Sequence, residues 1–291
     1  MAKFIQLLIS GVATGSIIGL VALGFVLIYK ATDVFNFAHG DFMMLAAYLG
    51  VTFITTLDLP FALAVVMVLI AAATMGWLTQ AIVVKPMLGQ PLLAIVMVTL
   101  GLSLILRSIT VVFWGAIERS FDTPLPDTIW RVSGMVISTL DIIVILVTLA
   151  TLGLFALFFR LSNLGLEMRA TAESFEAAVL SGVNANRVFS VALALGTVIA
   201  AIGGMLLANV NVVNIGMGEA GLLAALPAIV IGGFQSLPGA IVGGLLVGIL
   251  QKMATGYIAP GTENVVVYTV LLLVLLVRPY GLFGQRDIVR V

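Results

Sequence analysis

The only histidine of the chain, His39, lies two residues before Asp41 in a segment that is otherwise apolar enough for lipid. Ionisable side chains inside a membrane cost roughly 2.5–3.5 kcal/mol on insertion scales and usually face a bundle interior or a water-filled path. Alternatively, the segment could begin at the membrane interface, where Asn36, His39 and Asp41 would be hydrated or would cap its first turn. The residue types therefore indicate either a polar path or an interfacial helix start.

The spacing of these residues argues against catalysis. Residues two apart on a helix do not share a face, so His39 and Asp41 make a poor acid–base dyad. Asn36, His39 and Met43 would share one helical face, and Gly40 beside it would let a neighbouring helix approach closely. We therefore predict that Asn36, His39 and Asp41 form a gate or line a translocation path, and we predict no catalytic residue. An alternative is a secondary transporter or channel that uses His39 and Asp41 as a proton relay.

Composition identifies a membrane protein. Hydrophobic residues make up 62% of the 291 residues and charged residues 9%, whereas charged residues make up about 25% of soluble domains. Each long uncharged run is long enough for at least one helical crossing of about 20 residues. The runs are continuously apolar, whereas the strands of a membrane barrel alternate apolar and polar residues. The chain has no cysteine and one histidine, which argues against a metal site, and its zero net charge gives no bias toward nucleic acid.

We predict an all-α fold, a polytopic transmembrane bundle of about eight or nine membrane segments in a single domain over residues 1–291. Glycine and proline interrupt the region 220–257, which could form two short helices or one re-entrant element. The positive-inside rule places the arginine-containing tail inside, the net negative loop 116–135 outside and, by counting crossings, the N-terminus outside. The predicted crossings are 4–29, 36–57, 60–84, 92–115, 136–159, 188–210, 220–235, 238–257 and 262–278.

Glycines spaced four residues apart predict close helix packing. Such small-residue faces let helix backbones approach each other within lipid. The partner helix could belong to the same subunit or to a second subunit across a dimer seam. The glycines are Gly11, Gly15 and Gly19 in the first crossing and Gly239, Gly243, Gly244 and Gly248 late in the chain.

The connector 160–187 contains a predicted amphipathic helix. Thr171 is its predicted N-cap, with Glu173 in the first turn, where the helix dipole favours a negative charge. The helix is predicted to end near 182–184, and Asn186 to start the next one. Its polar face is acidic, unlike the basic faces of helices that lie on membranes, so we predict that it docks on a soluble partner. Its predicted apolar face consists of Ala172, Phe175, Val179, Gly182 and Val183.

Enzyme motifs are missing from the sequence. It has no Gly-x-x-x-x-Gly-Lys-Ser/Thr loop for nucleotide phosphates, and neither Gly-x-Ser-x-Gly nor His-Glu-x-x-His occurs. We therefore predict that the chain is not an enzyme and does not hydrolyse ATP by that route.

Four motifs occur in order along the chain: Asn36–Tyr48, Gly165–Arg187, Ala228–Ala240 and Arg278–Gly284. Together they resemble the motifs of the permease subunits of branched-chain amino-acid ABC importers, the hydrophobic amino-acid uptake family. The resemblance runs nearly from end to end. Gln235 departs from it, because the family block reads Gly-Gly-x-Gly-Ser-x-Pro-Gly-Ala, and Arg107 lies inside a crossing, where we expect it to pair or to reach the interface. Gly165–Arg187 resembles the family's cytoplasmic loop, Ala228–Ala240 its glycine block and Arg278–Gly284 its closing motif.

The resemblance implies a multi-pass subunit of the bacterial inner membrane, with a second homologous permease, two cytoplasmic ATPases and an external solute-binding protein as partners. It implies no cofactor in this chain, because ATP-Mg would bind the partner ATPases. The substrate would be a branched-chain amino acid or a related amino acid or amide; a permease for urea, sugars or nucleosides is the neighbouring alternative. Within the coupling loop 160–187, the residues expected to contact the ATPase are Arg169, Glu173, Phe175, Glu176, Ala178 and Gly182.

Overall fold

The computed structural model describes residues 2–121, 123–126, 128–132 and 135–284. Two π-helical turns, Thr52–Thr56 and Gln80–Val84, extend α2 and α3. Two strands, β1 (Ile129–Val132) and β2 (Met135–Ser138), pair as an antiparallel hairpin. The helices are α1 (Ala2–Thr32), α2 (His39–Val51), α3 (Phe61–Thr79), α4 (Lys85–Met87), α5 (Leu92–Trp114), α6 (Thr139–Leu161), α7 (Asn163–Glu173), α8 (Phe175–Leu180), α9 (Ala185–Val210), α10 (Met217–Gly232), α11 (Leu237–Tyr257) and α12 (Glu263–Val277).

The predicted all-α polytopic bundle is confirmed. Within the described residues, six helices are long and apolar enough to cross a membrane: α1, α3 with its continuation to Met87, α5, α6, α9 and α11. The apolar helices α10 and α12 are shorter, and α2 gains length from the π-helical turn that follows it. Helix α1 is largely buried and forms the centre of the bundle, whereas α6 is largely exposed at its edge.

The spaced glycines lie between helices of this one subunit. A Cβ atom on Gly15 would lie 2.7 Å from the Cα of Leu245 on α11, and one on Gly11 would lie 2.9 Å from the Cα of Ile249. Since higher numbers on α1 meet lower numbers on α11, the two helices are antiparallel and pack backbone against backbone. Gly244 and Gly248 supply the α11 side of this seam.

The region 220–257 folds as two helices. Helix α10 ends at Gly232, a turn follows, and the Oγ of Ser236 accepts a hydrogen bond from the N–H of Gly239 in the first turn of α11. Gly239 packs on Gly232, and Gly243 packs on Ala228 one turn further from the connection. The broken segment is therefore an antiparallel helical hairpin, as in the two-helix alternative.

The hairpin β1–β2 corrects the predicted crossing 136–159. Residues 135–138 form a strand, and α6 begins at Thr139 because the side chain of Ser138 caps it by accepting from the N–H of Leu140. The hydroxyl of Ser10 donates to Asp141 at 2.8 Å, so this end of α6 lies beside the first third of α1. The hairpin and the start of α1 therefore share one end of the bundle.

The opposite end carries the connector 160–187 and the last described residues. A groove there brings Thr171 and Phe175 beside Thr32, at the end of α1, and beside Gln235. The N–H of Leu282 donates to the carbonyl oxygen of Ile231, so the chain after α12 returns to this end. The connector and the tail thus lie together, across the bundle from the loop that precedes α6, as the predicted arrangement requires. Arg286 and Arg290 of the tail lie outside the described residues.

Candidate functional site

Helix α2 begins deep inside the bundle. After α1 the chain turns at Asp33, which has a φ of 56°, and runs back so that the ring of Phe35 lies 4.6 Å from that of Tyr29 and 6.2 Å from that of Phe25. His39, the first residue of α2, lies beside Val21. Val21 precedes the end of α1 by 11 residues, or about 16 Å of helix.

The predicted helical face of Asn36, His39 and Met43 is wrong, because Asn36 precedes the helix. Its side-chain Oδ1 instead accepts from the N–H of Ala38 in the turn that leads into α2. Asn36 and His39 are both buried. Bundle helices therefore surround the polar residues at the start of α2.

His39 packs against α1. Its Nε2 atom lies 3.1 Å from the carbonyl oxygen of Val21, and its ring meets Phe25 edge-on at 6.0 Å. A Cβ atom on Gly24 would lie 2.9 Å from the imidazole Cε1 and 2.7 Å from the carbonyl oxygen of Gly196 on α9. Gly24 thus leaves the space that the histidine ring occupies at the crossing of α1 and α9.

Asp41 belongs to an ion cluster that joins three helices. Its Oδ1 accepts from the Nε–H of Arg107 on α5 at 2.8 Å, and the Nη1–H of Arg107 donates to Oε2 of Glu219 on α10 at 2.7 Å. Asp41 is 1% exposed, Arg107 27% and Glu219 55%. The expected pairing of Arg107 inside its crossing therefore occurs. His39 and Asp41 bind different helices and do not hydrogen-bond to each other.

The two acidic members of the cluster stand at equivalent positions of two similar helix starts. Asn36–Asp41 and Asn214–Glu219 share the pattern Asn-x-x-x-Gly-acid. In both segments, the N–H of the first helical residue donates a hydrogen bond to the main-chain carbonyl oxygen of the asparagine at 3.2 Å. The preceding residues Ala38 and Gly216 have nearly equal dihedral angles, φ −74° and ψ −3° against φ −77° and ψ −13°.

The two helix starts touch through their glycines. A Cβ atom on Gly218 would lie 2.6 Å from the carbonyl oxygen of Gly40, and one on Gly40 would overlap the carbonyl of Gly218. Backbone approach at this point brings Asp41 and Glu219 within reach of one guanidinium. Sequence reasoning missed Glu219, and the repeated Asn-x-x-x-Gly-acid spacing was the signal that could have found it.

The connector 160–187 forms two short helices instead of one. Thr171 lies inside α7, where its hydroxyl donates to the carbonyl of Glu167, so the predicted N-cap is wrong. The chain breaks at Ser174, whose Oγ accepts from the N–H of Ala177 and starts α8. The next helix is capped by Asn184 and not by Asn186, because the Asn184 side chain reaches the N–H of Arg187.

Helix α8 has one buried position and an exposed outer surface. Ala178 is buried, and Arg169, Glu173, Phe175 and Glu176 are exposed. At its end Gly182 adopts a left-handed φ of 89°, and the N–H of Val183 donates to the carbonyl of Ala178 at 3.0 Å, a C-cap geometry that favours glycine. The predicted face is partly corrected: Phe175 and Val179 are exposed, while the position that packs inward is Ala178.

A groove of about 430 Å³ lies beside α7 and α8. On its rim, the ring of Phe175 stacks on that of Phe189 in α9, with centroids 6.0 Å apart and an interplanar angle of 12°. Gln235, the departure from the family block, also lines this groove. The other lining residues include Lys30, Thr32, Asp33, Leu88, Thr171 and Ala172.

Known proteins resemble this chain over nearly its whole length. Residues 7–275 match the family model described as branched-chain amino acid transport system / permease component. The permease protein LivH of the high-affinity branched-chain amino acid transport system of Escherichia coli K12 is 30% identical over 99% of this chain and 98% of its own length. The corresponding BraD of Pseudomonas aeruginosa is 29% identical over the same shares.

A solved structure also resembles the chain. It is PsaBC from Streptococcus pneumoniae in complex with Fab, with a TM-score of 0.47 and 18% identity over 93% of this chain and 90% of that one.

Proposed function

Since the chain belongs to the family of branched-chain amino-acid transport permease components, we propose that it forms the membrane path of an ATP-driven importer for branched-chain amino acids or closely related solutes. Permease components of this kind are not themselves enzymes. The relatives whose names specify branched-chain amino acids cover nearly the whole chain, which supports this substrate class.

The proposed assembly contains a second homologous permease, two cytoplasmic ATPases that bind ATP-Mg and an external solute-binding protein, in the inner membrane of a bacterium. The connector 160–187 supports the ATPase contact. It exposes an apolar side chain, Phe175, beside the charged Arg169, Glu173 and Glu176, on the same end of the bundle as the tail. A surface that mixes one aromatic anchor with charges suits a protein interface better than lipid.

The observation that carries this proposal is the contact of α8 with α9. Helix α8 is capped at both ends, by the Ser174 side chain at its start and by the left-handed turn at Gly182 after its end. It can therefore move as a unit. Phe175 stacks on Phe189 of α9. Helix α9 in turn packs on α1, α2 and α3. Movement of the ATPases would therefore pass through α8 and α9 to the helices that surround the start of α2.

We further propose that Asn36, His39 and Asp41 act as a gate. His39 and Asp41 hold the start of α2 against α1 and α5, and Asn36 holds the turn that leads into it. A tilt of α9 would strain this start because a Cβ atom on Gly204 of α9 would lie 2.8 Å from the Cγ of Met43 on α2, so the two helices are in close contact. Opening and closing would follow from rearrangement of these contacts.

Reconstitution tests the proposal. Proteoliposomes that contain the permease pair, both ATPases and the binding protein are expected to accumulate L-leucine only with ATP. A matched preparation carries ATPases whose nucleotide-binding lysine is replaced, and it is expected to show no accumulation. Uptake by the permease alone, driven by an ion gradient, would contradict the proposal and support the secondary-transporter alternative.

A further inference from the structure

Two charged side chains reach one face of the subunit within its membrane-spanning part: Arg107 is partly exposed and Glu219 is exposed. Arg107 precedes the end of α5 by seven residues, or about 10 Å of helix. Glu219 stands in the first turn of α10, which touches the deep start of α2. Ionised side chains at such depth face a bundle interior or a water-filled path. This face therefore meets water or a second subunit, and not lipid.

The cluster has unused hydrogen-bonding groups. A guanidinium carries five N–H donors, and Arg107 uses its Nε–H and one Nη1–H on Asp41 and Glu219. Among the described residues, the hydrogen bonds of Arg107 use Nε and Nη1, and none uses Nη2. Arg107 and Glu219 can thus each bind a further charged group without breaking the bond between them.

We propose that Arg107 and Glu219 form an intramembrane binding site for the zwitterionic head group of an amino acid. The proposal rests on the proposed function for the class of cargo. The α-carboxylate and the α-ammonium of an amino acid sit on one carbon, so their site needs opposite charges side by side. The Arg107 Nη1 and Glu219 Oε2 atoms, 2.7 Å apart, meet this requirement.

Each group has one role in the site. The free Nη2 edge of Arg107 binds the carboxylate, because guanidinium donors match carboxylate geometry. The exposed carboxylate of Glu219 binds the ammonium. Asp41 is a positioning residue, since it is buried and holds Nε of Arg107 at 2.8 Å. The positive ends of α2 and α10 meet beside the same guanidinium and favour the bound carboxylate.

Cysteine labelling tests the site, because the chain has no cysteine of its own. Leu223→Cys places a reporter one turn after Glu219 at a position that is 47% exposed, and Leu154→Cys is a control on α6 at 70%. In the full reconstituted complex, a cationic methanethiosulfonate reagent is expected to label the first and not the second. If lipid covers Leu223 as well as Leu154, neither cysteine will be labelled. That result would overturn the proposal.

Protection identifies the ligand chemistry. L-leucine is expected to slow the labelling of Leu223→Cys by about tenfold. A tenfold ratio corresponds to a free-energy difference of about 1.4 kcal/mol. Neither 4-methylpentanoate, which lacks the ammonium group, nor 3-methylbutylamine, which lacks the carboxylate, should do so. Adding Glu219→Gln or Arg107→Lys is expected to abolish protection by L-leucine. Equal protection by the three compounds, or protection that survives both substitutions, would overturn the site.

The two proposals fail in different ways. A complex that accumulates L-leucine with ATP but shows no zwitterion-specific protection refutes the site and leaves the transport function. A complex without ATP-dependent accumulation refutes the transport function.

Discussion

Gly218→Ala tests the contact between the two helix starts. The added Cβ atom would lie 2.6 Å from the carbonyl oxygen of Gly40, whereas an ordinary contact is about 3.4 Å, so α2 and α10 must separate by close to 1 Å. The obstacle is backbone, which has no rotamer to change. Such overpacking costs about 3 kcal/mol, and the gain in helix propensity from glycine to alanine returns about 1 kcal/mol. We therefore expect the free energy of unfolding to fall by about 2 kcal/mol.

Gly101→Ala on α5 is the matched control, because nothing lies within 4 Å of a Cβ atom there. It keeps the propensity gain without the clash and should raise the free energy of unfolding by up to about 1 kcal/mol. Unfolding of the subunit in mixed micelles by titration with dodecyl sulfate, followed by circular dichroism, measures both values. Equal shifts for the two variants would refute the inferred contact.

Three further predictions concern coupling, packing and the C-terminal end of α5. Phe175→Asp should leave ATP hydrolysis by the complex but abolish L-leucine uptake, while Phe175→Leu keeps uptake; normal uptake by the aspartate variant would contradict the α8–α9 route. Gly15→Ala should lower the thermal unfolding temperature of the isolated subunit, because its Cβ would meet the Cα of Leu245 at 2.7 Å; a change confined to dimer assembly would contradict packing within one subunit. Trp114→Phe removes the 2.6 Å bond from Nε1 to the hydroxyl of Thr52 and should cost about 1 kcal/mol of unfolding free energy, measured by the same micelle titration.

The sequence alone predicted the features that depend on local composition. Long apolar runs indicated the membrane helices, except that α6 begins after a strand at 135–138, and glycines spaced by four residues indicated close helix packing. An arginine among apolar residues indicated an ion pair for Arg107, because an unpaired charge inside a membrane is costly. The break between α10 and α11 followed from Gly232, Gly233 and Pro238.

Other features depend on contacts between distant segments. The partners of Arg107 lie 66 and 112 residues away along the chain, and no local pattern around Arg107 identifies Asp41 or Glu219. The return of the chain into the bundle before α2 escaped prediction because residues 33–38 and the start of α2 are both mostly apolar, so hydropathy does not separate them. The choice of Ser174 over Thr171 as a cap also has no local reason, since both side chains can cap a helix.

The glycine contact between α2 and α10 has a mechanical consequence. Interdigitated side chains resist sliding because each must leave its rotamer well before the next position is reached. Gly40 and Gly218 have no side chains to interlock. Their backbone contact therefore prevents the two helices from moving closer together but offers little steric resistance to rotation of one helix against the other. The starts of α2 and α10 can thus rotate about this contact during transport while Arg107 stays bonded to both. No hydrophobic core has to be disrupted in each transport cycle.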